Sequence, residues 1–499
     1  MVFSSVIFLY AFLPAILVLY FVTPRRGRNA LLLIGSLFFY TWGEQLLVFV
    51  MLTSTAVDYV CGLVIYRQFD PGDLESGNLP EQRTRRQKAA LLSSIIVNLL
   101  LLGVFKYFNF AIDNYNAFMT WAGLEHLAAL DMVRIVFPLG ISFYTFQSMS
   151  YTIDVYRGQT PADRNFINFA CYVTMFPQLI AGPIVRYTSV AKELKERYTT
   201  VASFADGIRQ FIIGLGRKML VANVLAEAVD AIFALPNEEI TMTLAWAAIG
   251  LFALQLYYDF AGYSDMAIGM GKMFGFDFPP NFNYPFIAKT MSDFWRRWHM
   301  SLSTWLRDYL FEPIGGFWEG KARSCVNVMI VFVACGVWHG ASWNFVIFGF
   351  TLGGFVVFEH LVRADRSRIF QSPLGHLYLV LVLLINLVVF RGETVGQSGV
   401  FFKAMLGFSG ISNPAYPAGL FITPETIVVA LVALLGSIPF IPWLRASIDR
   451  AVQSAGPSMG PVIELARQLA VTLLLLGILT LSAMKLAVGT YNPFIYFRF

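Results

Sequence analysis

Two histidines lie in sequence surroundings that suit acid-base chemistry. His339 ends an apolar stretch in Gly336-Val-Trp-His-Gly340, and His299 follows an arginine- and tryptophan-rich run. An imidazole has an unperturbed pKa of about 6.5, so it can take up and return a proton near neutral pH. An ionisable side chain inside an apolar segment usually faces the protein interior, which makes His339 a candidate functional residue. The alternative is a histidine that is hydrogen-bonded in a helix-packing contact.

The segment from Asp293 to Tyr309 predicts one amphipathic helix. Its large apolar side chains form a single stripe with His299 beside it, and this stripe consists of Trp295, Trp298, Leu302, Trp305 and Tyr309. The opposite face is polar and consists of Arg297, Ser301, Thr304 and Asp308. Charged side chains at the bilayer centre would each cost roughly 2.5 to 3.5 kcal/mol. We therefore expect this helix to enter the protein from the cytosolic side without crossing the membrane, and to bring His299 to the same cavity as His339. The alternative is an interfacial anchor.

Two carboxylates, Asp259 and Asp265, lie in an apolar, tyrosine-rich run. Buried carboxylates need partners, and tyrosine hydroxyls or an arginine such as Arg296 could supply them. A structural role is favoured over a catalytic one for this pair.

The composition shows which kind of chain positions these residues. Hydrophobic residues make up 57% and charged residues 13% of 499 residues, about half of the ~25% charged residues in a typical soluble domain. Apolar runs recur from Val6 to Val488, which predicts an integral membrane protein. The net charge of +5 is spread between these runs, so nucleic acid is not expected as a partner. The four cysteines are isolated, without metal-ligand spacing.

The predicted fold is all-α and polytopic, with about 11 to 13 transmembrane or re-entrant helices around an internal chamber. The chamber is inferred from helix breakers within or beside apolar runs, namely Pro138, Gly140, Pro177, Gly182 and Pro183. The sequence has no internal repeat and no long linker, so a single domain over residues 1–499 is expected.

The distribution of basic residues predicts the topology. Arg25, Arg26 and Arg28 follow the first apolar run without any acid, and the segment from Arg67 to Lys88 is also basic. The loop between Phe110 and Val133 contains acids but no Lys or Arg. By the positive-inside rule the first two loops are cytosolic, and both the third loop and the N-terminus lie outside.

The order of the motifs resembles the membrane-bound O-acyltransferase family, in particular its bacterial polysaccharide branch. The resemblance is closest over residues 1–400, and residues 401–499 form a hydrophobic extension. The motifs that carry it are Met1 to Ser5, Pro138 to Tyr144, Ile153 to Arg157, Phe176 to Pro183, Tyr258 to Gly269, Phe294 to Tyr309 and Trp338 to Gly340.

The resemblance implies that His339 is the catalytic histidine and His299 a second essential one. It also suggests six substrate-binding residues, which are Arg296, Arg297, Trp298, Trp338, Asp308 and Asn344, and it implies no metal. In one respect the sequence departs from the branch, because Leu352 occupies a position where a further histidine is usual.

The implied reaction is transfer of an acyl group, most simply acetyl, from a cytosolic thioester donor to a hydroxyl. Acetyl-CoA is the expected donor, and no cofactor is expected to be permanently bound. The arginines Arg296 and Arg297 could contact the donor's phosphates. The resemblance further implies acetyltransferase partner proteins on the secreted side. The expected acceptor is an exopolysaccharide of the alginate type, which the acyl group reaches directly or through these partner proteins. The expected location is the lipid of the bacterial inner membrane.

Other interpretations remain open at this point. Relatives act on cellulose, peptidoglycan or D-alanine for teichoic acids, although two apolar spans after Arg391 argue against the shorter D-alanyl branch. A transporter would also contain broken helices and intramembrane charges, but an inverted repeat would then be expected.

Overall fold

The computed structural model describes residues 2–69, 82–128 and 134–489, and the regular elements within these ranges are all helices. The all-α prediction is thereby confirmed. Parts of two predicted loops, residues 70–81 and 129–133, lie outside the described residues.

The helices belong to two compact units, of which the first comprises Met1–Gly207 and Met270–Pro279. Its helices are α1 (Leu13–Val22), α2 (Arg28–Glu44), α3 (Val48–Tyr66), α4 (Arg85–Trp121), α5 (Ile141–Arg157), α6 (Phe166–Thr174), α7 (Phe176–Leu179), α8 (Tyr187–Lys195) and the start of α9 (Val201–Gly216). A π-helical turn at Phe8–Phe12 precedes α1.

The first unit has a polar cluster at its centre, where α3, α4 and α5 pack together. Asp58 is fully buried and accepts hydrogen bonds from Ser94 Oγ at 2.5 Å and from Asn98 Nδ2 at 2.8 Å. Ser148 Oγ of α5 is 3.4 Å from Asn98 Oδ1. These bonds satisfy a carboxylate that would otherwise be costly in an apolar interior.

The second unit comprises Ile208–Gly269 and Pro280–Phe499. Its helices are the remainder of α9, α10 (Asn223–Phe233), most of α11 (Met242–Phe274), α12 (Met291–Trp295), α13 (Met300–Leu306), α14 (Lys321–His339), α15 (Trp343–Leu361), α16 (Arg368–Gln371), α17 (Pro373–Arg391), α18 (Val395–Met405), α19 (Pro424–Gly436), α20 (Phe440–Ser454) and α21 (Gly456–Ala487). Two π-helical segments, Arg217–Ala222 and Arg307–Phe311, lie between these helices.

Seven helical segments among the described residues are long and apolar enough to cross a membrane, and a bent pair formed by α19 and α20 raises this number to eight. These segments confirm a multi-pass membrane protein. The predicted count of 11 to 13 is not confirmed. A single domain over residues 1–499 stays a prediction.

The carboxylates of α11 find their partners on the π-helical segment Arg217–Ala222. Lys218 Nζ lies 2.7 Å from Asp259 Oδ1, with both side chains almost completely buried, and Arg217 pairs with Asp265. A cation opposite each anion offsets the cost of burying the charge. These lysine and arginine partners come from a distant part of the sequence, and Arg296 is not one of them.

Candidate active site

His339 is positioned by a tightly packed helical hairpin in the second unit. It is the last residue of α14, and α15 begins four residues later after a short turn. The two helices approach closely where Gly336 faces Gly349, because a Cβ atom at Gly336 would lie only 2.3 Å from the backbone oxygen of Phe345. The small residues therefore set the distance between the helices that hold the imidazole.

One hydrogen bond determines which nitrogen of His339 is basic. Nδ1 lies 2.7 Å from the backbone oxygen of Cys335, one helical turn earlier. A carbonyl oxygen can only accept, so Nδ1 must donate its hydrogen. In the neutral ring Nε2 then carries the lone pair, and this nitrogen is the one able to accept a proton.

His299 lies at a break in the chain, which corrects the prediction of one continuous helix from Asp293 to Tyr309. The segment consists of the short helices α12 and α13 and the π-helical residues Arg307–Phe311, and α13 starts directly after His299. His299 has φ +43° and ψ +53°, a left-handed conformation that few residues other than glycine adopt. The expectation that the segment is not a full span is consistent with helices this short.

Neighbouring residues satisfy the starts of both short helices. Asn281 accepts the backbone N–H of Met300 through its main-chain oxygen, and its side-chain oxygen accepts both the N–H and the hydroxyl of Ser301. Glu359 of α15 accepts the N–H groups of Met291 and Ser292 at the start of α12. These contacts fill the role that capping side chains have at ordinary helix starts.

The two histidines line the same cavity, as the sequence predicted. The cavity has a volume of about 60 Å³, and its walls are mainly aromatic and aliphatic side chains from α11, α12, α15 and α17 together with Phe286. Since a cavity needs roughly 10–15 Å³ to hold one water molecule, this space suits a small group such as a short acyl chain. His299 is 1% and His339 9% exposed, so both imidazoles are largely withdrawn from solvent.

The indole of Trp338 lies close to both histidines. Its ring centroid is 5.0 Å from that of His339 and 6.1 Å from that of His299. Phe260 contacts His299 edge to face, with ring centroids 4.6 Å apart. Trp298 lines the cavity, and Trp338 has ring contacts with both histidines. Two of the predicted binding residues are therefore close to the histidines.

Burial controls the protonation of His299. Desolvation holds the pKa of this imidazole well below its usual value, and the nearby His339 lowers it further. His299 is therefore neutral near pH 7, because the charged form is disfavoured in an apolar site. A neutral imidazole can donate a hydrogen bond with one nitrogen and accept one with the other.

The other predicted binding residues do not line this cavity. Arg296 is exposed, and Arg297 Nε pairs with Asp293 at 3.1 Å. Asp308 accepts a hydrogen bond from its neighbour Arg307. Asn344 donates to the backbone oxygens of Val389 and Gly392 and to Ser398 Oγ, so its amide joins the start of α15 to the end of α17.

Most residues of the cavity wall were not predicted as site residues, and two of these, Leu352 and Asn386, bear on the chemistry of the site. Leu352, the position at which the sequence departs from the resembled branch, is 2% exposed and lines the cavity. Asn386 of α17 also lines it and is 1% exposed. A polar residue inside the apolar run from Leu379 to Phe390 was the signal that could have identified Asn386.

The helical membrane fold and the paired histidines define a class of protein, and sequence comparison identifies it. The chain belongs to the membrane-bound O-acyltransferase family, whose sequence model matches residues 157–395. This range contains both histidines and most of the cavity wall. The protein is therefore an O-acyltransferase embedded in a membrane.

Particular relatives match the chain over most or all of its length. It is 36% identical to the probable alginate O-acetylase AlgI of Azotobacter vinelandii and to that of Pseudomonas putida, with all of each chain covered in both cases. It is 31% identical to the peptidoglycan O-acetyltransferase of Helicobacter pylori, over 83% of this chain and 81% of the relative.

Proposed function

We propose that this protein transfers acetyl groups from acetyl-CoA to a hydroxyl acceptor, with His339 as the general base. The observation that carries this proposal is the shared cavity, in which His339 and His299 lie close to one indole and the hydrogen bond to Cys335 makes Nε2 the basic nitrogen of His339.

The residues support a direct transfer in two steps. The acceptor oxygen attacks the thioester carbonyl carbon while His339 Nε2 takes its proton, and the carbonyl electrons move onto oxygen. The resulting oxyanion then collapses, the carbon–sulfur bond breaks, and the leaving thiolate receives the proton from His339. An ester and a free thiol are formed, and no other reactant is required.

The neutral His299 would assist this reaction through hydrogen bonds. A neutral imidazole near the reacting carbonyl can donate to the developing oxyanion or hold the acceptor hydroxyl toward His339. The apolar walls would strengthen either interaction, because they exclude water from the charges that form. Arg296, exposed and one residue from the cavity wall, and Arg297 are the proposed contacts for the donor's phosphates.

The acceptor is proposed from the relatives. Two relatives matched over their whole length are named alginate O-acetylases, which favours an exopolysaccharide of the alginate type. We infer that acetyltransferase proteins on the secreted side complete the transfer to the polymer. The corresponding location is the bacterial inner membrane with the N-terminus outside.

The proposal predicts that replacing His339 abolishes transfer without unfolding the protein. His339→Gln keeps a polar side chain of similar length but has no basic nitrogen, so we expect activity to fall roughly 100- to 10,000-fold. Membranes of a polysaccharide-producing strain carrying each variant would be supplied with [14C]acetyl-CoA, and ester-linked label in polymer would be counted.

The matched control is another histidine of the second unit. His360 packs against Phe317 with ring centroids 5.1 Å apart and does not line the cavity. His360→Gln should therefore retain activity close to that of the unmodified protein. Substantial labelling by a well-folded His339→Gln variant would remove His339 as the base. If the label appeared in peptidoglycan but not in exopolysaccharide, the acceptor would be peptidoglycan and the proposed acceptor would be wrong.

A further inference from the structure

Asn386 brings an amide to the wall of the cavity that contains the base. It lies on α17 one helical turn before Phe390, whose ring centroid is 5.8 Å from that of His339. Residues four apart share a face of a helix, so the amide and this ring face the same side. Asn386 and Phe390 both line the cavity that contains the two histidines.

The orientation of this amide is fixed by two hydrogen bonds. One side of it lies 2.7 Å from the backbone oxygen of Val382, which can only accept, so the nitrogen must be on that side. The oxygen consequently faces Thr351 Oγ1 at 2.6 Å, closer than the backbone oxygens of Ile347 and Phe348 at 2.9 and 3.0 Å. Two oxygens this close need a hydrogen between them, so the Thr351 hydroxyl donates its one hydrogen to Asn386. A flipped amide would place two acceptors against each other at Val382.

The nitrogen still has one hydrogen to donate. An amide NH₂ group has two hydrogens, and Val382 accepts one of them. Across residues 2–69, 82–128 and 134–489, Asn386 Nδ2 makes no second hydrogen bond. A buried donor without an acceptor costs about 1–3 kcal/mol, so its retention in the wall of an apolar cavity calls for an acceptor there.

We propose that the second N–H of Asn386 donates a hydrogen bond to the carbonyl oxygen of the bound thioester and stabilises the oxyanion formed from it. This inference rests on the proposed acyl transfer at His339. The bond strengthens as negative charge develops on that oxygen, and the amide does not have to reorient, because Thr351 and Val382 already hold it. Asn386 is thus a catalytic residue, and Thr351 is a positioning residue.

The test compares three variants in the [14C]acetyl-CoA assay described above, with kcat and KM determined per amount of folded protein. Asn386→Leu has a similar volume and no donor, and we expect kcat to fall roughly 100- to 1,000-fold. Asn386→Asp keeps the shape and an oxygen for Thr351 but lacks the NH₂ group, and a comparable loss is expected. Thr351→Val removes only the hydroxyl that orients the amide, so its loss should be smaller. KM for acetyl-CoA should change little in all three.

A buried amide outside the cavity serves as the control. Asn327 on α14 is fully buried and donates to the backbone oxygen of Gly316. Asn327→Leu should reduce the amount of folded protein while leaving kcat per folded molecule unchanged. Suppose that either Asn386 variant, like Asn327→Leu, reduced the amount of folded protein without changing kcat per folded molecule, while His339→Gln was inactive. The proposed role of Asn386 would then be wrong, and the proposed role of His339 would stand. If His339→Gln also remained active, the proposed site itself would be wrong.

Discussion

At the scale of single residues, His299 has two features that can be tested separately. One is the left-handed conformation of its backbone, and the other is the imidazole of its side chain. Its φ of +43° lies in the left-handed region, which asparagine and glycine tolerate better than other residues. The imidazole, in contrast, lines the cavity. Substitutions can therefore remove the ring with or without straining the chain.

We predict that His299→Asn and His299→Ala differ in stability but not in activity. Both variants lack the imidazole, so both should lose most acetyl transfer. Asparagine accepts the left-handed conformation, whereas alanine adds strain of roughly 1–2 kcal/mol. Thermal unfolding in detergent should therefore show a lower midpoint for His299→Ala than for His299→Asn. A His299→Asn protein with full activity would show that the ring is not required.

An imidazole in an apolar context is rare, which made the two histidines candidates, and the family resemblance then selected them as the predicted site residues. It did not predict Asn386, since a single amide in a span is equally consistent with a helix-packing contact. What distinguishes Asn386 is the bond that its amide donates to Val382 together with the bond that it accepts from Thr351. The second bond forms only when α15 packs against α17. Such tertiary information is absent from residue type and spacing.

At the scale of helices, the break at His299 shows the limit of periodicity. Trp295, Trp298, Leu302 and Trp305 have helical spacing, and all four side chains are buried or half-buried, although the helix is interrupted between them. Periodicity reports which side chains face the interior. It does not report where a distant group satisfies a helix start, as Asn281 does directly after His299, and this contact allows the chain to turn there.

The α14–α15 hairpin provides a prediction about packing. A Cβ atom at Gly349 would lie 2.4 Å from the backbone oxygen of Phe332, a contact that neither helix can relieve by moving a side chain. Gly349→Ala should therefore push the two helices apart, displace His339 and lower both the unfolding midpoint and the transfer rate.

A glycine five residues further along the same helix is the control for Gly349. Nothing lies within 4 Å of a Cβ atom at Gly354. Because alanine favours a helix by roughly 0.5–1 kcal/mol over glycine, Gly354→Ala should leave stability unchanged or slightly higher. Equal behaviour of the two variants would show that close approach of the helices is not what positions His339.

At the scale of the whole molecule, the fold class was predictable because the bilayer restricts the choice. A chain this apolar must satisfy its backbone within helices, and the described residues do so. The number of spans was harder to predict from the sequence, because apolar runs also form short buried helices such as α6, which has nine residues. Length separates the two cases only after the helix ends are known.

The predicted orientation of the chain in the membrane can be tested by combining the charge pattern with the lengths of the first helices. Residues Arg25–Tyr66 form 42 helical residues, in which α2 and α3 meet at Gln45 with φ +48°. Extended at about 1.5 Å per residue, they would be roughly 63 Å long, about twice the bilayer core. We therefore count α2 and α3 as two crossings and α4 as a third, which places the loops before α2 and after α4 on opposite faces.

This topology predicts opposite labelling of two exposed positions. Arg26 lies in the basic loop before α2, and His126 follows α4 in a loop without Lys or Arg. Cys325 would first be replaced by alanine, because the other three cysteines are buried. A membrane-impermeant maleimide should then label His126→Cys in intact spheroplasts and Arg26→Cys only in inverted vesicles. The reversed pattern would place the loop before α2 outside, and the assignment of that loop by the positive-inside rule would then be wrong.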